Sequence, residues 1–314
     1  MIIHTGEALI DFIPVRDSNG GRAFKPVPGG SPYNTSIAVA RLDVPNAFLG
    51  RISRDFFGDQ LVAYLTQNGV DTGMIARGDS LSTLAFVSKT ETGGVRYAFF
   101  ANGAADREFV PEDIPELPDD TTAIQFGSIS LIGDPVGETI VGLIEREKGR
   151  RVISFDPNIR TSVIEDEAVY RSRLGRAVTA STIVKVSDED LAWMTGSEDI
   201  DSAARELLRQ GPRLVVVTEG ARGSAAYTGD LVARVDAEKT TVSDTVGAGD
   251  SFHAAVLAWC YHSGFLSIKR IGTLTADKLE EMLRFAGAVA AKTCSRAGAD
   301  PPRLAEIQSR FQSW

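Results

Sequence analysis

The stretch DTVGAGDSF, residues 244–252, places two glycines and a carboxylate directly before an apolar run. Phe252, Val256 and Trp259 recur at intervals of four and three residues, which predicts that a helix with one buried face begins at this turn. The N–H groups at the start of a helix have no partner within the helix and bind anions readily. Because glycines let the backbone approach an oxyanion, Asp250 would lie beside an anion site, which suits phosphoryl transfer to a hydroxyl.

On both sides of this stretch, short β-rich segments alternate with helical patterns. This alternation predicts an α/β fold with a central, mostly parallel β-sheet flanked by helices. In such sheets, ligands gather at the carboxyl ends of the strands. The predicted strands are residues 47–50, 123–126, 152–155, 182–186 and 214–218, and the predicted helices are residues 34–42, 56–68, 135–147 and 202–210.

Two segments interrupt the alternation and are typical of β-hairpins. Each holds two apolar runs around a polar turn, in residues 8–30 and in residues 83–100, where the turn is 91–94. Since a lone hairpin is marginally stable in water, we expect the two to pair into one small sheet. We predict that this sheet, about residues 8–30 and 83–108, is a lid inserted in a single domain spanning 1–314.

Composition narrows the class of protein. The chain of 314 residues is 43% hydrophobic and carries a net charge of −9, which argues against partners that need a basic surface, such as nucleic acids or anionic membranes. It shows neither a signal peptide nor an apolar run of membrane-spanning length. Its two cysteines, Cys260 and Cys294, lack metal-ligand spacing, and Cys260 lies in an apolar run. We expect a cytoplasmic protein.

The 244–252 stretch resembles the C-terminal signature of the PfkB (ribokinase-like) carbohydrate kinases. A glycine-rich turn before a helix is also common for structural reasons alone, so other segments have to decide. GGSPYN, residues 29–34, resembles the family's Gly-Gly-x-x-x-Asn segment, although taken alone it fits a loop with an ordinary helix start better. The resemblance implies a ribokinase-like fold and ATP-dependent phosphorylation of a sugar, with Asp250 as the base.

Further residues acquire roles from this resemblance. The phosphate acceptor would bind to Asp11, Gly29, Gly30, Asn34, Phe99 and Asp250. Asp11 would otherwise be a solvated edge residue. The anion site would be formed by Gly247, Ala248 and Gly249. Arg160, in a DPNIR segment like that of fructokinases and 2-keto-3-deoxygluconate kinases, would bind phosphate or acceptor; the alternative is a turn whose arginine pairs with a surface carboxylate.

The nucleotide and metal sites are implied in the same way. Nucleotide-binding residues would be Lys185, Ser187, Thr218, Gly220, Gly223, Gly247, Gly249 and Ala286. Ser187 could equally be a helix N-cap, the glycines at 220 and 223 could form a tight hairpin, and Ala286 could serve helix packing. Asp190 stands where the family has a glutamate that holds Mg²⁺ through water, and Glu189 could serve instead. Asp244 and the Val246 carbonyl match a site for a monovalent cation such as K⁺, near the 296–299 loop.

The identity of the acceptor is less constrained. The opening GEALIDF, residues 6–12, and GGSPYN look most like fructokinases. A 2-keto-3-deoxygluconate kinase would need a carboxylate clamp, and no arginine precedes Asp106 in 99–106; ribose and nucleosides stay open. No P-loop motif and no G-x-G-x-x-G after the first strand is present. A catalytically silent sugar- or nucleotide-binding regulator is the alternative of another class. Phe24, Phe86 and Phe99 suggest that two lids could pair in a homodimer.

Overall fold

The computed structural model describes residues 1–89 and 95–308. The predicted polar turn at 91–94 and the last six positions of the predicted domain, 309–314, lie outside the described residues. Within the described chain no helix is long and apolar enough to span a bilayer.

Within residues 1–89 and 95–308, thirteen strands form two separate sheets. The strands are β1 Ile2–Thr5, β2 Leu9–Arg16, β3 Arg22–Gly29, β4 Asn46–Ser53, β5 Ile75–Gly78, β6 Thr83–Lys89, β7 Val95–Phe100, β8 Ala123–Gly127, β9 Val152–Asp156, β10 Ile183–Ser187, β11 Leu214–Thr218, β12 Ser224–Thr228 and β13 Leu231–Val235. The larger sheet has nine strands in the order β13-β12-β11-β10-β9-β8-β1-β4-β5. In this order, the neighbouring strands from β11 to β5 are all parallel to one another. The β12 strand is antiparallel to β11, and β13 is antiparallel to β12. All five predicted strands are therefore confirmed.

Helices cover both faces of the larger sheet. They are α1 Ser31–Arg41, α2 Phe56–Gln67, α3 Val136–Glu147, α4 Glu167–Ala180, α5 Asp188–Thr195, α6 Ile200–Gln210, α7 Ala248–His262, α8 Ile268–Ile271, α9 Ala276–Cys294 and α10 Leu304–Ile307. Single 3₁₀ turns occur at Ala105–Glu108, Pro111–Asp113, Ser128–Leu131, Thr161–Val163 and Gly220–Arg222. The four predicted helices and the helix expected after the glycine turn are present.

The core lies on both sides of the larger sheet because successive strand residues point to opposite faces. Ile2 and Leu214 pack with α1, α7 and α9, whereas Ile3 and Val215 pack with α3, α4 and α6. A sheet buried on both faces needs nearly continuous apolar strands, and VVV at 215–217 is such a run. This packing fixes the carboxyl ends of the strands, where the candidate site residues lie.

The smaller sheet, the lid sheet, pairs the two predicted hairpins in the order β3-β2-β6-β7. Residues opposite one another share a face. Asp11 lies opposite Ala85 and Ala85 opposite Phe99, on the face toward the larger sheet. On the other face, the Phe12 and Phe86 rings stack with centroids 4.6 Å apart. The predicted pairing of the hairpins is confirmed.

Candidate active site

The two sheets enclose a cavity of about 740 Å³. Asp11 and Phe99 of the lid sheet contribute to one wall. The opposite side holds Arg160 after β9 and the turn that leads into α7. Of the predicted site residues, the cavity is lined by Asp11, Gly30, Asn34, Phe99, Arg160, Val246, Gly247, Gly249 and Asp250. Segments far apart in the sequence therefore meet at the carboxyl edge of the larger sheet, as expected for ligand sites in α/β folds.

Asp250 lies in the first turn of α7 and is 9% exposed. Its Oδ1 accepts a hydrogen bond from the Ser31 hydroxyl at 2.6 Å, and its Oδ2 accepts one from Asn34 Nδ2 at 2.9 Å. Burial raises the pKa of Asp250, while the two hydrogen bonds oppose that rise. A carboxylate with a raised pKa at a cavity wall has the properties of a general base.

The turn before Asp250 begins α7 at Gly247, whose φ of 75° favours glycine. Gly247 and Gly249 line the cavity. The N–H of Ala248 donates to the Thr245 carbonyl at 3.2 Å, and Ala248 is not part of the cavity wall. The two glycines rather than all three residues therefore present this helix start to the cavity.

Asp11 faces Asp250 from the lid sheet. Burial, and then the charge of Asp250, raise the pKa of Asp11 to about 7, whereas Arg160 acts to lower it. Among the side chains of residues 1–88 and 97–308 and the N–H groups of the described chain, none donates a hydrogen bond to the Asp11 carboxylate. Gly29 lies against this group, and a Cβ at Gly29 would overlap Oδ2. Gly29 thus touches Asp11 rather than the cavity itself.

Glu7 is a cavity residue that the sequence did not assign. It is 2% exposed, and burial raises its pKa to about 7. Its Oε1 accepts a hydrogen bond from the N–H of Ser31 at 3.0 Å, so it fixes the start of α1. Gly30 has a φ of 110°, and a Cβ there would lie 2.5 Å from the Glu7 carbonyl oxygen, so this position requires glycine.

Arg160 projects into the cavity from the segment after β9. Its guanidinium donates to the Ile159 carbonyl at 3.0 Å and lies 5.8 Å from the centre of the Tyr97 ring. Arg107, which follows Asp106, instead donates to the carbonyls of Ile129 and Ile132, each at 2.9 Å. Among the described residues that line the cavity, Arg160 is the one cation.

A buried ion pair lies behind the helix start. Lys185 Nζ is 2.9 Å from Asp156 Oδ2, and both side chains are almost completely buried. The same ammonium lies beside Gly249, since a Cβ there would be 3.1 Å from Nζ. His253 of α7 contacts this cluster, and its burial lowers its pKa to about 3, which keeps the imidazole neutral. Lys185 thus packs against the glycine turn on the side away from the cavity.

Gly247 and Gly249 are the predicted nucleotide residues that line the cavity, whereas Ser187, Thr218, Gly220 and Gly223 lie outside it along the neighbouring strand ends. Ser187 and Thr218 are partners in the β10–β11 register. Ser187 is also the N-cap of α5, because its hydroxyl accepts from the N–H of Asp190 at 3.1 Å. Gly220 and Gly223, with φ of 56° and 118°, lie in the β11–β12 hairpin, so the hairpin alternative is present and leaves the nucleotide role untested.

Ala286 is placed differently from our expectation. It is 0% exposed in the core between α7 and α9 and offers no surface to an adenine ring. The neighbouring Gly287 is half-buried, and a Cβ there would meet no atom within 4 Å. The small side chain of Ala286 therefore allows close packing between helices. The open space beside α9 lies at Gly287.

The metal candidates also differ in placement. Glu189 is exposed and lines the cavity, whereas Asp190 is partly buried behind it. Burial, and then the charge of Asp156, raise the pKa of Asp190 to about 6. Among the described residues, no group of three or more His, Cys, Asp or Glu could hold a metal ion. One or two carboxylates fit Mg²⁺, which keeps several waters and binds substrate phosphates.

Asp244 ties the glycine turn to a neighbouring loop. Its carboxylate accepts from the N–H of Val246 at 3.2 Å and from the N–H of Gly298 at 3.1 Å. A Cβ at Gly247 would lie 2.6 Å from the Ala299 side chain, so the two segments are packed closely. The predicted neighbours of a monovalent cation are therefore adjacent.

Sequence reasoning missed several residues of the cavity and its support. They are Glu7, Ser31, Tyr97, Ser128, Asn158 and Asp156 in its pairing with Lys185. Ser31 could have been found, because it precedes Asn34 by three positions and therefore shares its helix face. The Asp156–Lys185 pair had no sequence signal, since it depends on β9 and β10 being neighbours.

Comparison with known proteins connects this geometry to a family. The profile of the pfkB family carbohydrate kinases matches residues 1–306. A fructokinase from Rhizobium leguminosarum bv. trifolii is 43% identical over 279 residues, which cover 89% of this chain and 85% of the relative. A solved structure of a fructokinase from Xylella fastidiosa with bound ATP has a TM-score of 0.90 at 29% identity, covering 99% of this chain and 98% of that chain.

A second solved structure is informative for its ligands. It is a fructokinase double mutant from Vibrio cholerae O395 bound to fructose, ADP and a potassium ion. Its TM-score is 0.85 at 25% identity, with 98% of this chain and 97% of that chain covered. These likenesses confirm the ribokinase-like fold predicted from the sequence.

Proposed function

The chain belongs to the pfkB family of carbohydrate kinases and is an ATP-dependent sugar kinase, and we propose that its acceptor is D-fructose. The transferred phosphoryl group would go to a primary hydroxyl. Similarity to fructokinases over most of the chain supports this choice.

The charge of the cavity is the observation that favours a neutral sugar. Glu7, Asp11, Glu189 and Asp250 line it with carboxylates, against the single guanidinium of Arg160. Carboxylates accept hydrogen bonds from sugar hydroxyls but repel another carboxylate. Arg107 donates to backbone carbonyls and does not line the cavity, so it offers no clamp for a keto acid such as 2-keto-3-deoxygluconate.

The residues around the cavity suit in-line phosphoryl transfer. Asp250 accepts the proton of the primary hydroxyl while that oxygen bonds to the γ-phosphorus. The bond from the γ-phosphorus to the bridging oxygen breaks, and ADP leaves with the electron pair. The N–H groups of Gly247 and Gly249, together with Arg160, stabilise the negative charge on the transferring oxygens.

The substrates would occupy the two sides of this turn. Asp11, Gly30 and Asn34 hold the sugar, with Phe99 covering it and Gly29 keeping Asp11 in place. ATP lies along Ser187 and Thr218 and the hairpin glycines Gly220 and Gly223, with its adenine nearer Gly287 than Ala286. Lys185, expected to touch the nucleotide, is buried in its pair with Asp156 and acts only through the neighbouring Gly249 turn. The lid sheet would exclude water and so limit ATP hydrolysis.

Two ions complete the proposal. Glu189 and Asp190 would hold Mg²⁺, Asp190 through water, and the ion would neutralise phosphate charge. Asp244 and the Val246 carbonyl would bind K⁺ beside the anion site, as a monovalent ion accompanies fructose and ADP in the Vibrio cholerae relative.

The outer face of the lid sheet supports a homodimer. Phe24 and Phe100 are 48% and 64% exposed and surround Phe86. Phe99, which we expected at this surface, lines the cavity instead because it is one residue out of phase. Sedimentation of the wild type and of Phe100→Ser tests this: we expect a dimer that the variant weakens, and a monomeric wild type at micromolar concentration refutes it.

We place the protein in the cytoplasm, where ATP and sugars are available. Cys260 and Cys294 are both free thiols, which fits a reducing compartment.

The test is ADP release from ATP and Mg²⁺ with fructose, 2-keto-3-deoxygluconate, ribose, glucose or adenosine as acceptor. We expect turnover with fructose and a loss of about two to four decades in Asp250→Asn, the usual contribution of a general base. Asp277→Asn, an exposed aspartate of α9, is the matched control and should behave as the wild type.

Other outcomes contradict the proposal at different levels. Faster turnover with another acceptor refutes fructose and leaves the role of Asp250 in place. Near-wild-type turnover in Asp250→Asn refutes the base. ATP binding without turnover on any acceptor indicates the silent regulator.

A further inference from the structure

Asp250 is held by two donors from the first turn of α1. Ser31 Oγ lies 2.6 Å from Oδ1, and Asn34 Nδ2 lies 2.9 Å from Oδ2. The two donors are three positions apart and share one face of the helix. A sugar hydroxyl that approaches Asp250 in this crowded site competes with one of them for its place beside the carboxylate.

The two donors are not held equally. The N–H of Ser31 donates to Glu7 Oε1 at 3.0 Å, and its carbonyl accepts from the Thr35 hydroxyl at 2.9 Å. Ser31 is 7% exposed, whereas the Asn34 residue is only partly buried at the cavity wall. Both residues line the cavity, and the Asn34 N–H is held by the Gly30 carbonyl at 2.8 Å, so the difference between the two donors is their burial. The less buried Asn34 amide is the donor with room to exchange its partner.

We propose that Ser31 is a positioning residue that holds Oδ1 of Asp250 throughout the reaction, while Asn34 turns to the sugar and leaves Oδ2 as the proton acceptor. This inference rests on the proposed function, because it requires Asp250 to take the proton of a sugar hydroxyl. It assigns the two oxygens of one carboxylate to different tasks: Oδ1 orients the group and Oδ2 performs the proton transfer.

The hydroxyl of Ser31 also stabilises the charged form of the base. Other titratable groups face Asp250: Asp11 and Tyr97 from the lid sheet, Asp156 from β9 and Lys185 from β10. All of them stay in place when only Ser31 is changed. Loss of a hydrogen bond to a carboxylate raises its pKa, so the acid limb of kcat/KM should move to higher pH.

The test compares kcat/KM for fructose against pH in Ser31→Ala, Ser31→Thr and Ser36→Ala. Ser36 is the matched control, since it is a buried serine of α1 whose hydroxyl donates to the Tyr33 carbonyl at 2.7 Å. We expect Ser31→Ala to shift the acid limb upward by roughly one pH unit. Ser31→Thr keeps a hydroxyl and should restore the wild-type limb, and Ser36→Ala should not move it.

An acid limb in Ser31→Ala that coincides with that of the wild type overturns the proposal, as does an equal shift in Ser36→Ala. Absence of fructose turnover in the wild type refutes the proposed function instead. In that case the carboxyl of Asp250 can be titrated by infrared spectroscopy, with Asp250→Asn as the reference. A pKa that is unchanged by Ser31→Ala would then still refute the role of Ser31.

Discussion

Two of the carboxylates that line the cavity, Asp250 of the main body (the larger sheet with its helices) and Asp11 of the lid sheet, are held in opposite ways. Asp250, on the main body, accepts hydrogen bonds from Ser31 and Asn34 and is backed by the Asp156–Lys185 pair. Asp11, on the lid sheet, accepts no hydrogen bond from the side chains and N–H groups that the structure describes. The main body therefore fixes its carboxylate with hydrogen bonds from the protein, whereas the lid carboxylate keeps the hydrogen-bonding capacity that our proposal assigns to the sugar.

The construction of the sheets explains this difference. The larger sheet is covered by helices on both faces, and a closely packed core resists displacement. The lid sheet has four strands, with exposed aromatic rings on its outer face. It is joined to the core at one end, where Ile10 packs with Tyr33 and Phe48, and its packing is therefore less extensive than that of the larger sheet.

Removing one partner of the buried Asp156–Lys185 ion pair should have the largest effect, which is on the stability of the fold. Lys185→Met leaves the buried Asp156 carboxylate without its partner, and we expect the free energy of unfolding to fall by about 3–5 kcal/mol. Chemical denaturation followed by circular dichroism measures this change.

The double variant Lys185→Met/Asp156→Leu is the control for that experiment. Removing both charges should restore most of the lost stability, because no uncompensated charge stays buried. If the double variant is as unstable as Lys185→Met, the ammonium does not stabilise the fold through Asp156.

Changing the lid carboxylate should affect binding. Asp11→Asn removes a charged acceptor for sugar hydroxyls, and we expect KM for fructose to rise by about 10–100-fold while Tm stays near the wild-type value. Asp79→Asn is the control, because the Asp79 side chain is 97% exposed. An unchanged KM in Asp11→Asn would show that the lid does not contact the sugar.

The pH dependence of KM for fructose tests the role of the Asp11 carboxylate separately from that of Asp250. The pKa of Asp11 in the folded protein is about 7, above its ordinary value, so folding favours the protonated form and this group makes the protein less stable as pH rises toward 7. In the proposed binding mode the sugar hydroxyls donate to the carboxylate form of Asp11, so we expect KM for fructose to fall by about tenfold between about pH 6 and pH 8. Asp11→Asn should flatten this profile, and an equal slope in that variant would exclude Asp11 as its cause.

Much of this arrangement could be predicted from the sequence. The predicted strands, helices and hairpins are present because apolar periodicity and glycine turns record local structure directly. The motifs also located Asp11, Asn34, Arg160 and Asp250, which meet in one cavity. Asn34 and Asp250 lie at the start of predicted helices and Arg160 follows a predicted strand, where ligands bind in this class of fold, whereas Asp11 lies within a predicted hairpin.

The remaining features depend on contacts between distant segments. Whether Phe99 or Phe100 faces the cavity is decided by strand register, which a shift of one residue reverses. The Ser31–Asp250 hydrogen bond joins residues 219 positions apart. A run of small residues does not say which face of α9 is buried, so Ala286 was assigned to the wrong side of its helix.

The most direct measurement is the single-turnover rate of phosphoryl transfer at saturating fructose and ATP, in the wild type, Asp250→Asn and Asp11→Asn. Saturation removes differences in binding and leaves the chemical step. We expect Asp250→Asn to be slower by about two to four decades and Asp11→Asn to stay close to the wild type. Equal losses of rate in both variants would contradict the assignment of proton transfer to Asp250 and of sugar binding to Asp11.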